Sequence, residues 1–292
     1  MNNAYSPRST GTNRRESGFT LIELLVSSTL MAVLVGMVLY ISSGVLRSWN
    51  DASDRLHAHA EARFALDTMV SDLESAVFRT DGGTWMIAEK EAVPGIGEGV
   101  WLRLFAPVTD RDRGTVEVPI SGDLNAIGYF LRYANPINSD NPDGRVAGIY
   151  RVVVDGERTL RDIQGNLDGM TKEDFLQEGE FEGADSDARA ASSFLAGNVV
   201  SFKIRFFVRS DDSAQGDSAI RPLDGDRIEF SRRSGIPGPS YADISLVVIR
   251  DEGARILRAI DSGELSSTDR SDVIGQFGTL FSRRVTFLNR PL

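Results

Sequence analysis

Arg14-Arg15-Glu16-Ser17-Gly18-Phe19-Thr20-Leu21-Ile22-Glu23 leads into an apolar run, and the two together decide how the chain is organised. From Leu24 through Leu46 there is no Lys, Arg, Asp, Glu or His, a stretch of 23 residues. A bilayer core about 30 Å thick is crossed by roughly 20 apolar helical residues, so this run is long enough to span one. Glu23 sits just inside its start, where hydrocarbon is expected. An ionised carboxylate there costs at least about 2.5–3.5 kcal/mol, and the default reading of such a group is functional. Arg8, Arg14 and Arg15 precede the run, and no Lys or Arg follows until Arg47. The positive-inside rule therefore leaves residues 1–18 in the cytoplasm and sends the remainder outward.

A basic leader, a small residue, Phe, a few apolar residues and then Glu form an unusual order. It resembles the class III signal of type IV prepilins and type II secretion pseudopilins. The resemblance implies that a prepilin peptidase cuts between Gly18 and Phe19 and methylates the new amine of Phe19. Glu23 then matches the membrane glutamate of the family. The spacing suits that chemistry. Gly18 presents no side chain to a protease at the membrane face, and Phe19 and Glu23 lie about one helical turn apart, on one face. In a filament of the family's kind, the Glu23 carboxylate of one subunit meets the terminal amine of its neighbour, which offsets the burial of both charges and sets the axial register.

Three plainer readings compete. An ordinary cleaved signal peptide wants a small-residue site after a short apolar region, and Ser42-Ser43-Gly44 is the nearest match, but the uncharged run is long for that purpose. A twin-arginine signal is countered by Glu16-Ser17-Gly18, which stands where an apolar lead-in belongs. An uncleaved anchor explains the run and leaves Glu23 without a purpose.

Composition bounds the rest. The chain has 292 residues, 41% hydrophobic and 25% charged, an ordinary globular balance with ample material for a core. Its net charge is −10, and loss of residues 1–18, with Arg8, Arg14, Arg15 and Glu16, moves it to −12. So acidic a protein is a poor partner for nucleic acid. There is no cysteine, which excludes disulfides, thiolate metal sites and a Cys nucleophile.

Helical periodicity continues past the apolar run. Ala62, Leu66, Met69, Val70, Leu73 and Val77 recur every three or four residues, with Arg63, Asp67, Asp72 and Glu74 interspersed. No proline occurs from Phe19 to Arg79, and Asp81-Gly82-Gly83 reads as the stop, so one helix over residues 19–79 is expected. Gly36 and Ser42-Ser43-Gly44 are its softest points, and a break near residues 50–54 is the alternative. Beyond it, strands are expected at 100–105, 127–133, 148–154, 199–208, 226–230, 243–250 and 280–289. In the middle of the fourth, Lys203 and Arg205 alternate with Phe202, Ile204 and Phe206. Residues 160–187 read as an acidic insertion and 210–225 as a loop. The expected fold class is α+β: a long N-terminal transmembrane and stalk helix (19–80) after a cytoplasmic leader (1–18), packed on a strand-rich, pilin-like head (81–292).

The head leaves little trace of catalysis. His57 and His59 sit two apart on a helix, about 200° round its axis, and cannot share a metal ion as an i, i+4 pair does. No nucleophile elbow, phosphate loop or zinc-protease motif occurs. Ser139 to Gly144, Asp211, Asp212, Asp217, Asp224 and Asp226 place oxygen ligands in loops, and acidic loops read first as solvated surface. No cofactor, metal or catalytic residue is expected, and the chain reads as a non-enzyme.

The order of the pieces also resembles the larger minor pseudopilins, the J-type subunit of type II secretion and W-type pilus assembly proteins, and pilin-like members of the Verru_Chthon cassette families. The matching features are Arg63-Phe64-Ala65-Leu66, Tyr150-Arg151, residues 195–208 and 241–250, and Arg283-Arg284-Val285. The resemblance implies a filament subunit at the tip or in initiation. Its partners would be prepilin peptidase, other pilin or pseudopilin subunits, an inner-membrane assembly platform and the lipid bilayer. It implies a single-pass inner-membrane protein with an extracytoplasmic head. A membrane-anchored extracytoplasmic ligand-binding protein or enzyme is the alternative.

Overall fold

A computed structural model describes residues 20–79, 82–107, 124–137, 144–154, 156–161, 167–176, 191–210, 219–265 and 268–287. The chain divides into two compact units, the boundary falling between Ser53 and Asp54. One helix, α1 (Leu21–Glu74), contributes residues to both. It runs through Gly36, through Ser42-Ser43-Gly44 and through residues 50–54 without interruption.

In the first unit, α1 buries nothing apolar. Every large apolar side chain from Leu21 to Trp49 lies between 49% and 80% exposed. In the second unit its character changes. Ala62, Ala65, Leu66, Met69 and Leu73 form a fully buried stripe at helical spacing. Burial of a Leu or Met side chain contributes roughly 1.5–3 kcal/mol, so this stripe is a major hold on the helix. Val70 and Val77 of the expected stripe are only partly buried, and Ala65 takes a core position instead.

The strands form two antiparallel sheets. The first is a meander of β1 (Met86–Val93), β2 (Gly97–Ala106), β3 (Asn125–Ala134), β4 (Val146–Val154) and β5 (Phe194–Gly197), with β8 (Arg227–Phe230) beside β1. The second, in the order β10-β9-β6-β7, contains β6 (Val199–Ser210), β7 (Ala219–Pro222), β9 (Pro239–Ile249) and β10 (Gly278–Thr286). Both sheets and the buried stripe of α1 share one core. Between β4 and β5 the described residues include two short helices, α2 (Gly156–Arg161) and α3 (Lys172–Leu176). The chain passes from the first sheet to the second at Asn198, whose φ is +55°, a left-handed conformation that Asn tolerates. Its carbonyl accepts from the Ile249 N–H at 2.8 Å and its side-chain amide donates to Asp251 at 2.6 Å, which fixes the crossing.

All seven expected strands form, with shifted ends, and Phe202 and Phe206 are buried while Lys203 and Arg205 are exposed. The sequence reading missed β1, β5 and β7 as separate strands, and it missed the helices α4 (Asp251–Asp261) and α5 (Arg270–Phe277). Those two helices close a small second cluster of Val200, Ile249, Leu257, Val273 and Phe277. Gly253 permits it: a Cβ there would stand 2.6 Å from Phe277 Cβ and 2.7 Å from Ile249 Cγ1. The end of α1 also differs from expectation. It stops at Glu74 rather than Arg79, because the Val77 N–H donates to the Phe105 carbonyl at 2.8 Å and draws the chain alongside β2.

Asp72, expected among the polar residues of the helix, is buried. Its carboxylate accepts from Arg151 Nε at 2.8 Å and Nη2 at 3.1 Å, and from the Tyr129 hydroxyl. Tyr129 and Arg151 are directly opposed on β3 and β4, so one carboxylate ties the helix to two strands. Burial and then the Asp72 charge push the Tyr129 hydroxyl well above its usual range and keep it a donor. Asp72→Ala leaves the Arg151 guanidinium buried without its acid and is expected to cost about 3–5 kcal/mol. Tyr129→Phe removes two hydrogen bonds, the one the hydroxyl donates to Asp72 and the one it accepts from Arg151 Nε at 3.1 Å, and is expected to cost about 1–2 kcal/mol. Denaturant unfolding of the full chain in detergent measures both, and equal losses would contradict the bidentate pair as the main tie.

At the edge of the second sheet, Arg284 on β10 donates to both oxygens of its cross-strand partner Asp243 on β9, at 2.7 and 2.9 Å. The hydrogen bonds from Arg284 hold the Asp243 carboxyl below its usual range. A depressed folded-state value means stability present above the unfolded value and lost as pH falls through the folded one. Amide protection along β10, taken relative to the intrinsic exchange rate at each pH, is therefore expected to fall as pH drops below about 4. Asp243→Asn should remove that acid dependence while leaving exchange in β6 unchanged.

Candidate functional site

The helix begins with a reciprocal cap. The Thr20 N–H and hydroxyl donate to Glu23 Oε2 at 3.1 and 3.0 Å, while the Glu23 N–H donates to Thr20 Oγ1 at 3.3 Å. Thr20-Leu21-Ile22-Glu23 is thus a T-x-x-E capping box, which satisfies N–H groups that an α-helix start leaves without partners. The same carboxylate that is out of place in hydrocarbon therefore has a local task. The pattern was legible in the sequence and was missed. Gly18 and Phe19, the expected cleavage and methylation pair, lie outside the described residues.

Four hydroxyls along the apolar run are satisfied within the helix. The hydroxyls of Ser27, Ser28, Thr29 and Ser43 donate to carbonyls three or four residues back, at 2.7 to 3.1 Å. Arg47 Nε donates to the Ser43 carbonyl at 3.2 Å. No side chain of this run except Glu23 needs water or a partner to satisfy a strong charge, and that is the condition for lying in lipid. Among the described residues, one helix, Leu21–Trp49, is long and apolar enough to cross a membrane.

The other candidates separate. His57 and His59 are both exposed, and His59 meets Phe281 edge-on with ring centroids 4.9 Å apart. Asp226 pairs with Lys90 at 3.0 Å. Residues 139–143, Asp211, Asp212 and Asp217 lie outside the described residues. A polar cluster that the sequence did not signal lies on one face of β1 and β2. The Arg103 side chain is buried; its Nη1 donates to the carbonyls of Leu167 and Met170 at 3.0 and 3.1 Å, and Nη2 donates to Glu89 at 2.8 Å. Its guanidinium stands 3.8 Å from the centroid of the Trp101 ring. Burial pulls the Arg103 pKa down, and Glu89 opposes the shift. With Phe175 packed edge-on against Trp101, this cluster clamps residues 167–176 to the sheet, and its chemistry is that of a fastener.

Loss of the capping hydroxyl tests the start of the helix. Thr20→Val is expected to weaken the first turn by about 1 kcal/mol, with Thr20→Ser near neutral. Hydrogen exchange at the first-turn amides in detergent measures it; equal protection in both variants would show that the box does not hold the turn.

Residues 13–39 match the family model described as the prokaryotic N-terminal methylation motif. No curated protein matches the chain. The motif and the apolar helix that carries it support a type IV pilin-like protein, anchored in a membrane by a single pass. In general terms they imply processing by prepilin peptidase and assembly with other pilins. The apolar N-terminal helix followed by antiparallel sheets is an α+β, pilin-like arrangement.

Proposed function

We propose that this chain is a minor pilin or pseudopilin, a structural subunit of a type II secretion or type IV pilus-like filament, acting at the tip or in initiation of assembly. One observation carries the reading: the exposed apolar half of α1 starts at Leu21, with Glu23 in its first turn, inside the matched motif. An exposed apolar surface of that extent needs lipid or the helices of other subunits to cover it. In this reading residues 1–18 are a cytoplasmic leader, and prepilin peptidase cuts after Gly18 and methylates Phe19. The mature helix waits in the inner membrane with the head on the extracytoplasmic side, and an assembly platform lifts the subunit from the bilayer.

The proposal gives Glu23 two successive tasks. In the lone subunit its carboxylate caps the helix start, which lowers the cost of holding the charge at the membrane. In the filament it pairs with the Phe19 amine of a neighbour. The size of the head supports a minor role, since ten described strands and their connections are more than a close-packed bulk subunit needs.

Intact-mass analysis of the chain, expressed with and without prepilin peptidase, tests the reading. The expected mature protein starts at Phe19, heavier by one methyl group, only when the peptidase is present. Glu23→Leu is expected to be cut normally and to fail to enter filaments. A chain that keeps Met1 in the presence of the peptidase, or one that starts near Val45, would overturn the proposal.

A further inference from the structure

A cleft opens on the head where the turn between β1 and β2, the facing ends of β3 and β4, and α4 come together. Its floor is apolar, from Ala147, Val200, Ile249 and Leu257, and its rim carries three guanidinium groups, those of Arg145, Arg258 and Arg270. Asp261 is the one carboxylate among the lining residues. That acid is already engaged: Arg270 Nη1 donates to Asp261 Oδ1 at 2.6 Å, while Nη2 donates to the Gly95 carbonyl. Arg270 Nε is buried and has no hydrogen-bond partner among the described residues. Arg258 Nε reaches only the Ala254 carbonyl at 3.4 Å, and Arg145 and Arg258 have no acidic partner among the described residues.

Among the described residues, the rim therefore holds two cations without an acidic partner, Arg145 and Arg258. Like-charged arginines gathered round an apolar floor repel one another, and an arriving anion relieves that repulsion. Arginine forks match the planar, two-oxygen shape of a carboxylate, and the apolar floor suits a hydrocarbon neighbour of that carboxylate.

We propose that this cleft receives a single Asp or Glu side chain, presented beside an apolar residue by a protein partner. The contact sets a guanidinium-lined socket against a partner's carboxylate, which gives register and selectivity more than raw affinity. It rests on the head alone and is independent of cleavage, methylation and the membrane helix.

The test uses the full chain in detergent micelles, with arginine labelled at Nε, and three probes: N-acetyl-Leu-Glu-amide, N-acetyl-Leu-Gln-amide and inorganic phosphate. The acidic dipeptide is expected to shift arginine Nε–H resonances saturably, and the glutamine peptide to leave them in place. Arg145→Ala combined with Arg258→Ala is expected to weaken the acidic dipeptide by about tenfold, the loss of one to two charge-assisted contacts. Both side chains are exposed, so the unfolding midpoint should stay at the wild-type value. If the double variant is destabilised, Arg145→Gln alone serves, with an expected weakening of about threefold. Equal binding of the two dipeptides, phosphate binding as tight as the acidic dipeptide, or unchanged affinity in the folded variants would each overturn the proposal.

Discussion

The head depends on one buried carboxylate. Asp72 stands at the point where α1 meets β3 and β4, and both of its oxygens are used, by Arg151 in a bidentate pair and by the Tyr129 hydroxyl. A buried ion pair is not by itself a source of net stability, because desolvating two charges costs several kcal/mol. Its value lies in direction. The apolar stripe of α1 sets which face meets the core but is less exacting about axial position than a directional hydrogen-bonded pair. A bidentate salt bridge with a shared hydroxyl permits one position only. Everything that follows in the chain, beginning with the early stop of the helix at Glu74 and the Val77 bond to Phe105, is referred to that position.

The other half of α1 follows a different rule. Its large apolar side chains are exposed, and the hydroxyls of Ser27, Ser28, Thr29 and Ser43 turn inward to the helix backbone. Lipid rewards that arrangement because each such bond leaves one polar group fewer without a partner. The capping box then reconciles Glu23 with its surroundings, since a carboxylate that accepts two hydrogen bonds from Thr20 is less costly than a bare one. Under the proposed function, the same carboxylate would exchange this partner for a neighbour's amine.

Much of this was legible from residue order. The cation-free, acid-free run from Leu24 to Leu46 announces a membrane helix because hydrocarbon tolerates little else. The stripe of Ala62, Leu66, Met69 and Leu73 announces a buried helical face, and the alternation of Phe202 and Phe206 with Lys203 and Arg205 announces a half-buried strand. The misses have physical causes. In β1, Glu89, Lys90 and Glu91 break the apolar alternation, because their charges are satisfied by Arg103, Asp226 and Lys172 from elsewhere in the chain. β7 is only four residues long. The helix α4 did carry a signal, with Asp251 and Glu252 in its first turn and Arg258 in its last, but Gly253 disguised it. That glycine is required by the approach of Phe277 and Ile249, which no local pattern reveals.

The sequence by itself determined the long apolar helix and the motif matched over residues 13–39, because lipid selects by local polarity and a short motif is read from a contiguous stretch. Tertiary structure alone decided that Asp72 and Arg103 lie inside, that α1 ends at Glu74, and that Arg145, Arg258 and Arg270 share one cleft. Each of those facts rests on a contact between residues tens to hundreds of positions apart, such as Asp72 with Arg151 or Arg270 with Gly95. A charged side chain has the same local signature whether solvent or a distant partner satisfies it, and only the fold says which.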